Sequence, residues 1–483
     1  MLKYFFLIGR FYCIYCYNNI VIKVVDGVKN LNPKKFANFL DVANWRLTPY
    51  QILIIGFVVL IAVGTFLLML PISHSQGESM PFIDALFTAT SAVCVTGLVV
   101  VDTGTFFSLF GQMVLVFLIQ IGAFGIMTMA TLASVIMKRR IQLKDRLVMQ
   151  EALNQLTISG IVRLTIYIIQ ASLLIELVGG TILAARFYPD FGWEGIYFGY
   201  WHAASAFCNA GFDVFGGTGS DITRYVDDIV VTITLTSLII AGGLGFTVLS
   251  DVWQNKKFKL FTLQTKVVLY TTACLIIFGA FWVFILEYDN AATIGNLSFS
   301  GKMMASYFQA VTARTAGYAT IHTGSLMDGT LFSIIILMFI GASPGSTGSG
   351  IKTTTFAVIV AAVWAQIRGK KDAELFYRRI PTVMVYKAFA IFIIAAVLVV
   401  FVTLMISISE SFPFINILFE VVSAFSTTGL STGITSELTW HGKLWIIFTM
   451  LVGRIGPMTV AFALALKYKK SAVQYPEGKI TIG

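Results

Sequence analysis

Read for hydropathy, the chain is a series of long apolar runs joined by polar connections. Eight runs of about 20 or more largely apolar residues occupy 51–71, 107–137, 164–185, 229–250, 267–286, 329–367, 388–409 and 444–466. At 1.5 Å of rise per helical residue, each is long enough to cross a hydrocarbon layer of roughly 30 Å. Between the members of each successive pair lies a shorter apolar run, at 81–92, 197–207, 302–313 and 413–425. Runs of about 10–14 residues are too short to span and read as re-entrant helices. The pattern predicts one unit used four times: a membrane helix, a short helix that enters and turns back, an extended stretch, and a second membrane helix.

The extended stretch is itself repeated. Ser91-Ala-Val-Cys-Val-Thr-Gly97 returns as Ser205-Ala-Phe-Cys-Asn-Ala-Gly211, Val311-Thr-Ala-Arg-Thr-Ala-Gly317 and Ser423-Ala-Phe-Ser-Thr-Thr-Gly429, at steps of 114, 106 and 112 residues between the glycines. Non-helical backbone within a bilayer is tolerated only where protein buries it or where it lines a watery cavity. Four such stretches entering from one side converge on a common axis. Rings of backbone carbonyls can replace the hydration shell of a potassium ion. Glycine suits the turning point because it takes φ > 0 without a steric penalty. Reading the glycines as helix-packing contacts of the GxxxG kind explains less, since each copy directly follows a short helix.

Composition then fixes the class. Hydrophobic residues make up 57% of the 483 and charged residues only 12%, about half the charge of a soluble domain. The chain is expected to be an integral membrane protein. Of 34 Lys and Arg, 27 fall in the N-terminal segment, the connections between units and the C-terminal tail, and five on the segments bearing the short helices. The positive-inside rule therefore puts both termini in the cytoplasm and the repeated stretches on the outer side. Fifteen of the 24 acidic residues lie on those outer segments, giving a negative mouth that concentrates cations. Trp45, Tyr50, Trp193, Trp201, Trp440 and Trp445 sit at run ends, as interfacial anchors do. Residues 1–47 are basic, with an apolar patch at 11–25 read as interfacial. Lys3 precedes only a short apolar run that Arg10 interrupts, so no cleavable signal is expected. The five cysteines are scattered and suggest no disulfide framework.

Two irregularities stand out. The sixth run is broken by Gly341-Ala342-Ser343-Pro344-Gly345-Ser346-Thr347-Gly348-Ser349-Gly350, followed by Ile351 and Lys352; no continuous helix accommodates that composition. Its spacing misses a nucleotide-binding phosphate loop by one residue. Arg454 lies inside the last run, where a guanidinium faces a cavity or a partner. Glu176, inside the third run, is a candidate partner, and Lys352 is either a second loop anchor or a snorkelling side chain. Arg314 places a cation within a repeated stretch. It is expected to point away from the axis, with Asp84 and Glu420 as candidate partners.

These stretches, together with Phe82-Ile-Asp-Ala-Leu-Phe-Thr-Ala-Thr-Ser-Ala, Val101-Asp-Thr-Gly-Thr, Gln150-Glu-Ala-Leu-Asn-Gln, Ala206-Phe-Cys-Asn-Ala-Gly-Phe, Ala316-Gly-Tyr and Gly453-Arg-Ile-Gly-Pro, resemble the Trk/Ktr/HKT superfamily of potassium transporters. They are most similar to the bacterial Ktr-type membrane subunit, from about residue 45 to the C-terminus. The resemblance implies an all-α integral membrane protein of eight transmembrane helices, with four repeats around one pseudo-fourfold pore. It implies a selectivity filter at Val95, Thr96, Gly97 and Leu98; Asn209, Ala210, Gly211 and Phe212; Thr315, Ala316, Gly317 and Tyr318; and Thr427, Thr428, Gly429 and Leu430. All four glycines are present, as in potassium-selective members, whereas sodium-permeable plant members carry serine at the first. It implies further that residues 341–350 form an intramembrane gate beneath the filter, with Lys352 beside it and Arg454 opposite. The implied partners are a second copy in a homodimer and cytosolic nucleotide-binding regulatory subunits. The tail, Tyr475-Pro-Glu-Gly-Lys-Ile-Thr-Ile-Gly483, is similar to the family tail that contributes to the dimer contact.

The resulting organisation is an N-terminal segment at 1–47, repeats at 48–137, 138–252, 253–367 (with the broken second helix) and 368–468, and a cytoplasmic tail at 469–483. Potassium is the expected substrate, sodium a candidate activator, and no cofactor or nucleic acid is expected. His74, His202, His322 and His441 fall on outer segments without metal-ligand spacing, which argues against an enzyme. The alternatives are an alternating-access cation carrier, whose broken helices occur in inverted repeats, and a sodium-permeable relative.

Overall fold

The computed structural model describes residues 48–75, 80–125, 128–129, 147, 161–216 and 222–464. The expectations for 1–47, for Gln150-Glu-Ala-Leu-Asn-Gln and for the tail at 469–483 lie outside the described residues.

Four long apolar helices among the described residues are able to cross a membrane: α1 (Pro49–Leu68), α4 (Ile161–Phe191), α8 (Leu263–Glu287) and α12 (Thr382–Ser409). Their exposed side chains are largely apolar, for example Phe66, Leu174, Ile277 and Val397. A greasy exterior suits a chain whose solvent is lipid. Thr48 starts α1 with a capping box, reciprocated by Gln51 at 3.0 and 3.4 Å.

Each long helix is followed by a short one: α2 (Phe82–Cys94), α5 (Trp193–Cys208), α9 (Phe299–Thr312) and α13 (Phe414–Ser426). Their C-terminal turns are buried throughout, so these helices form the centre of the molecule.

The following apolar runs are less regular than their hydropathy suggests. Helix α3 (Leu109–Phe124) stops at Gly125, α6 (Ile229–Leu244) at Gly245, and α14 (Trp440–Ile455) at Gly456. These glycines have φ of +82°, +95° and +95°, values that no helical residue adopts. After Gly245, α7 (Phe246–Asn255) leaves at 100° to α6. After Gly456, α15 (Pro457–Leu464) begins. In the third unit α10 (Asp328–Phe339) ends before the glycine-rich loop, and α11 (Thr353–Ile367) begins after it. The expectation of a break in the sixth run alone is thus corrected: the fourth and eighth runs are broken as well. The cause is a left-handed glycine, which cannot continue the hydrogen-bond ladder.

Within the second, third and fourth units, polar clips join the long helix to the start of the later apolar helix, at the end that bears the short helices. The buried Glu287 carboxylate, at the end of α8, accepts from Met327 N at 3.0 Å just before α10. Glu410, after α12, accepts from both the amide (3.1 Å) and the hydroxyl (2.5 Å) of Thr439, the N-cap of α14. Arg186 of α4 pairs with Asp228, the N-cap of α6, at 2.6 Å. At the opposite end, β1 (Glu374–Leu375) and β2 (Arg378–Arg379) form a small antiparallel hairpin between α11 and α12.

The first and last units are closed by Lys443 of α14, which pairs with Asp84 of α2 at 2.7 Å across 359 residues of sequence. Both side chains are largely shielded, 11% and 17% exposed. Removing one partner strands a charge, whereas replacing both by apolar groups does not. Lys443→Met is expected to destabilise the fold by roughly 3 kcal/mol, and the double variant Asp84→Leu/Lys443→Met by much less. Thermal unfolding of the three purified proteins checks this, and equal losses in the single and double variants would refute it.

Candidate ion pathway

Three of the four short helices end in the same backbone turn. Val95, Asn209 and Thr427 take left-handed conformations directly after α2, α5 and α13, with φ of 59°, 61° and 50°. Their amides reach back three residues, to Ala92, Ala206 and Ala424. The next amides reach back five, to Ser91, Ser205 and Ser423, at 2.7–2.8 Å. This paired 5→2 and 6→1 pattern is a Schellman ending. The third unit differs: Ala313 stays helical, Ala316 N bonds Thr312 O at 3.0 Å, and Thr315 carries the left-handed turn at φ 68°. Asparagine tolerates this region, but β-branched Val95, Thr315 and Thr427 are strained in it.

Two residues later come Gly97, Gly211, Gly317 and Gly429, with φ of 88°, 68°, 84° and 90°. A Cβ on Gly97 would collide with the Ala210 carbonyl oxygen, and one on Gly211 with that of Ala316. On Gly317 it would meet the oxygen of Thr428, and on Gly429 that of Thr96. The sequence of contacts runs from unit one to two, three, four and back to one. Four stretches from one chain therefore close into a ring of touching backbone. Side chains of the flanking positions, from Val95 and Thr96 to Leu430, are buried. Side-chain oxygens of the short helices tether the ring: Ser91 and Ser423 accept from Gly97 N and Gly429 N at 3.1 Å. Ser205 and Thr312 donate to the carbonyls of Phe212 and Tyr318.

A second set of glycines packs the helices against this ring. A Cβ on Gly122, Gly242 or Gly453 would overlap the carbonyl oxygen of Val93, Phe207 or Phe425, each four residues before a ring glycine. With the helix-ending glycines they form Gly122-Ala-Phe-Gly125, Gly242-Gly-Leu-Gly245 and Gly453-Arg-Ile-Gly456. The hydropathy reading passed over this repeat, although its Gly-x-x-Gly spacing is visible in the sequence.

In the third unit the 341–350 loop occupies the corresponding place. A Cβ on Gly348 would collide with the Thr315 side chain, so the loop lies directly against the ring. Ser343 N and Thr347 N donate to the Gly243 and Gly242 carbonyls at 3.0 and 3.2 Å, and Phe246 N donates to Gly345 O at 3.0 Å. Arg454 donates to the carbonyls of Thr347, Gly122 (2.5 Å) and Ala123 (3.0 Å). It thereby ties the loop to the first and last units. Lys352 Nζ donates to Gly348 O at 2.7 Å and is a loop anchor.

Neither Arg454 nor Arg314 takes a candidate carboxylate partner. Glu176 does not pair with Arg454; its carboxylate accepts from Gln120 at 2.9 Å and faces the Cys208 thiol at 3.8 Å. Arg314 finds neither Asp84, held by Lys443, nor Glu420, held by Thr435. Instead it turns toward the Gly341 carbonyl at 3.5 Å, at the start of the loop. Around Arg454, carbonyls freed where helices break take the place of a carboxylate, and its fixed fork of donors serves three of them.

Fold and site together define a multi-pass membrane protein built around a closed ring of backbone from four units. The family model of TrkH cation transport proteins matches residues 20–473, and the chain belongs to that family. The match begins well before residue 45, from which the resemblance was expected to run. The family is one of transporters, not enzymes. The chain is 47% identical over 444 residues to the Ktr system potassium uptake protein B of Bacillus subtilis, covering 92% of this chain and 98% of that one. It is 40% identical over 445 residues to the potassium/sodium uptake protein NtpJ of Enterococcus hirae, covering 91% and 98%. The crystal structure of the potassium transporter TrkH from Vibrio parahaemolyticus superposes with a TM-score of 0.67 at 17% identity, over 87% of this chain and 86% of that one. That likeness shows a shared fold.

The two glycines of one Gly-x-x-Gly motif should behave differently. A Cβ on Gly125 meets nothing within 4 Å, so Gly125→Ala costs only the strained backbone at φ 82° and ψ 143°, about 1–3 kcal/mol. Gly122→Ala drives a methyl into the Val93 carbonyl and is expected to cost at least about 3 kcal/mol, at the upper end of overpacking losses. Thermal unfolding midpoints decide between this ranking and its reverse.

Proposed function

We propose that the chain takes up potassium across the plasma membrane through a filter made of backbone carbonyls at 95–98, 209–212, 315–318 and 427–430. The observation that carries this reading is the closed ring in which each glycine abuts the carbonyl of the next unit. Buried side chains and strained backbone leave carbonyl oxygens as the groups available to an ion on the axis, and such rings replace the hydration shell of potassium. The names of the relatives support the substrate, and the potassium/sodium relative makes sodium a candidate activator.

On this reading the four units surround one pseudo-fourfold pore, with eight transmembrane helices and both termini in the cytoplasm. Four of those crossings are the helices that end or break at glycines, which are individually shorter than a bilayer. Uptake is driven by the membrane potential, worth about 2.3 kcal/mol per charge per 100 mV. The 341–350 loop, held by Lys352 and Arg454, closes the path beneath the filter. A second copy completes a homodimer, and cytosolic nucleotide-binding regulatory subunits move the loop; the Ktr system named in the relatives supports this.

Rubidium and sodium entry into proteoliposomes tests the reading. The natural chain is expected to pass rubidium in preference to sodium, with potassium competing. Gly317→Ser, which puts a side chain against the Thr428 carbonyl, should erode that preference. Arg454→Gln, which weakens the loop tie and removes a positive charge, should raise rubidium entry. Equal rubidium and sodium entry in the natural chain would sink the filter. Unchanged or reduced entry in Arg454→Gln would sink the gate.

A further inference from the structure

Beside the loop lies a cavity of about 290 Å³, near the lower limit for small-ligand sites. Three cationic side chains line it: Lys352, Lys387 and Arg454. No Asp or Glu does so among the described residues. Lys387 lies near the start of α12, on the side that the Lys and Arg distribution assigns to the cytosol, and is exposed. Arg454 lies at the loop itself. The cations thus line a route from the basic surface to the loop.

Helix ends add to this charge. Phe246 begins α7, Thr355 lies in the first turn of α11, and Thr459 lies in the first turn of α15; all three line the cavity. First-turn amides lack intrahelical acceptors, and each helix N-terminus carries roughly half a positive charge. Three half-helices and three cations around one space form a site for an anion and a poor place for a potassium ion. Part of the remaining wall is apolar, from Leu53 and Phe57 of α1 and Ile391 of α12.

The present partners of the two inner cations are neutral. Arg454 donates to carbonyls of Thr347, Gly122 and Ala123, and Lys352 to that of Gly348. A hydrogen bond between two ionised groups is stronger and shorter than one to a neutral acceptor. An anionic phosphate offers both cations such bonds, and a guanidinium engages it bidentately.

We propose that this cavity binds a phosphate group, which draws Arg454 and Lys352 away from the Thr347 and Gly348 carbonyls and so releases the loop. This deepens the gate reading and rests on it, but the binding itself does not. The phosphate belongs either to an anionic lipid headgroup, with its chains against the apolar wall, or to a soluble cytosolic phosphate.

Calorimetric titration of the purified full chain tests the site directly, with inorganic phosphate and short-chain phosphatidylglycerol as probes. Saturable binding of at least one probe is expected, weakened about tenfold in Lys352→Gln and in the exposed Lys387→Gln, as for loss of one charge-assisted contact. Phosphatidylglycerol alone would identify a lipid source, and binding of inorganic phosphate a soluble one. No saturable binding, or affinities unmoved in both variants, would overturn the site. Rubidium entry into proteoliposomes then tests the release. Entry should rise with phosphatidylglycerol in the membrane or inorganic phosphate in the lumen, following whichever probe binds, and no rise would overturn the coupling. A chain that carried no rubidium under any condition would instead sink the transport reading, leaving calorimetry to decide the site.

Discussion

The constraint on which this structure depends is the closeness of four backbone segments that come from one chain. At each of four positions, a glycine Cα lies so near the carbonyl of the next unit that no side chain fits. Most of the surrounding architecture serves that approach. Three of the short helices end in the same Schellman turn, which reverses the chain and delivers the next residues to the ring. Three β-branched residues are held in left-handed conformations, each at a cost on the order of 1–3 kcal/mol. Such strain persists only where buried surroundings over-determine it, and the buried side chains behind the ring, with the serine tethers, do so here. Lys443 and Asp84 join the first and last units, together with the Gly429–Thr96 contact and the bonds from Arg454 to the Gly122 and Ala123 carbonyls.

The third unit shows what happens when the pattern is relaxed at one place. In the other three, a helical glycine packs on a carbonyl at the end of a short helix, and a second glycine ends the helix. In the third, the motif has one extra residue and a proline, Gly341-Ala-Ser-Pro-Gly345, and the chain leaves the helix altogether. The loop that results bonds to units different from its own: to Gly242 and Gly243 in the second and, through Arg454, to the first and last. Its position therefore depends on a few polar contacts rather than on a packed helix. A few hydrogen bonds, each contributing about 1–3 kcal/mol to a charged partner, can be exchanged for others without unfolding the surrounding helices.

Much of this was legible in the sequence, for identifiable reasons. The short helices and their glycines were visible because period and composition change together at 81–97, 197–211, 302–317 and 413–429. The loop was visible because Pro344 and its neighbouring glycines cannot be helical. The breaks at Gly245 and Gly456 were not seen, since one glycine in an apolar run is compatible with a helix. Only the left-handed φ separates a break from a tolerated residue. The carbonyl partners of Arg454 and Arg314 were not legible for a related reason. Sequence displays carboxylates such as Glu176 and Asp84 but not the carbonyls that a helix break sets free.

That difference in partners bears on how a charge can close a cation path. Had Arg454 paired with Glu176, the two charges would have cancelled. With Glu176 engaged by Gln120 and facing Cys208, and Arg454 bonded to carbonyls, the guanidinium keeps its charge beside the loop. Two like unit charges about 5 Å apart repel by about 3 kcal/mol at an effective dielectric constant near 20. A potential of 100 mV contributes only about 2.3 kcal/mol for a full crossing. On the proposed reading, then, the charge of Arg454 slows potassium by roughly a hundredfold, more than the voltage offsets. To lift that barrier, either the loop and guanidinium move together, or the charge is neutralised where it stands. The carbonyl partners make the first easy, because neutral acceptors release a guanidinium more readily than a carboxylate does.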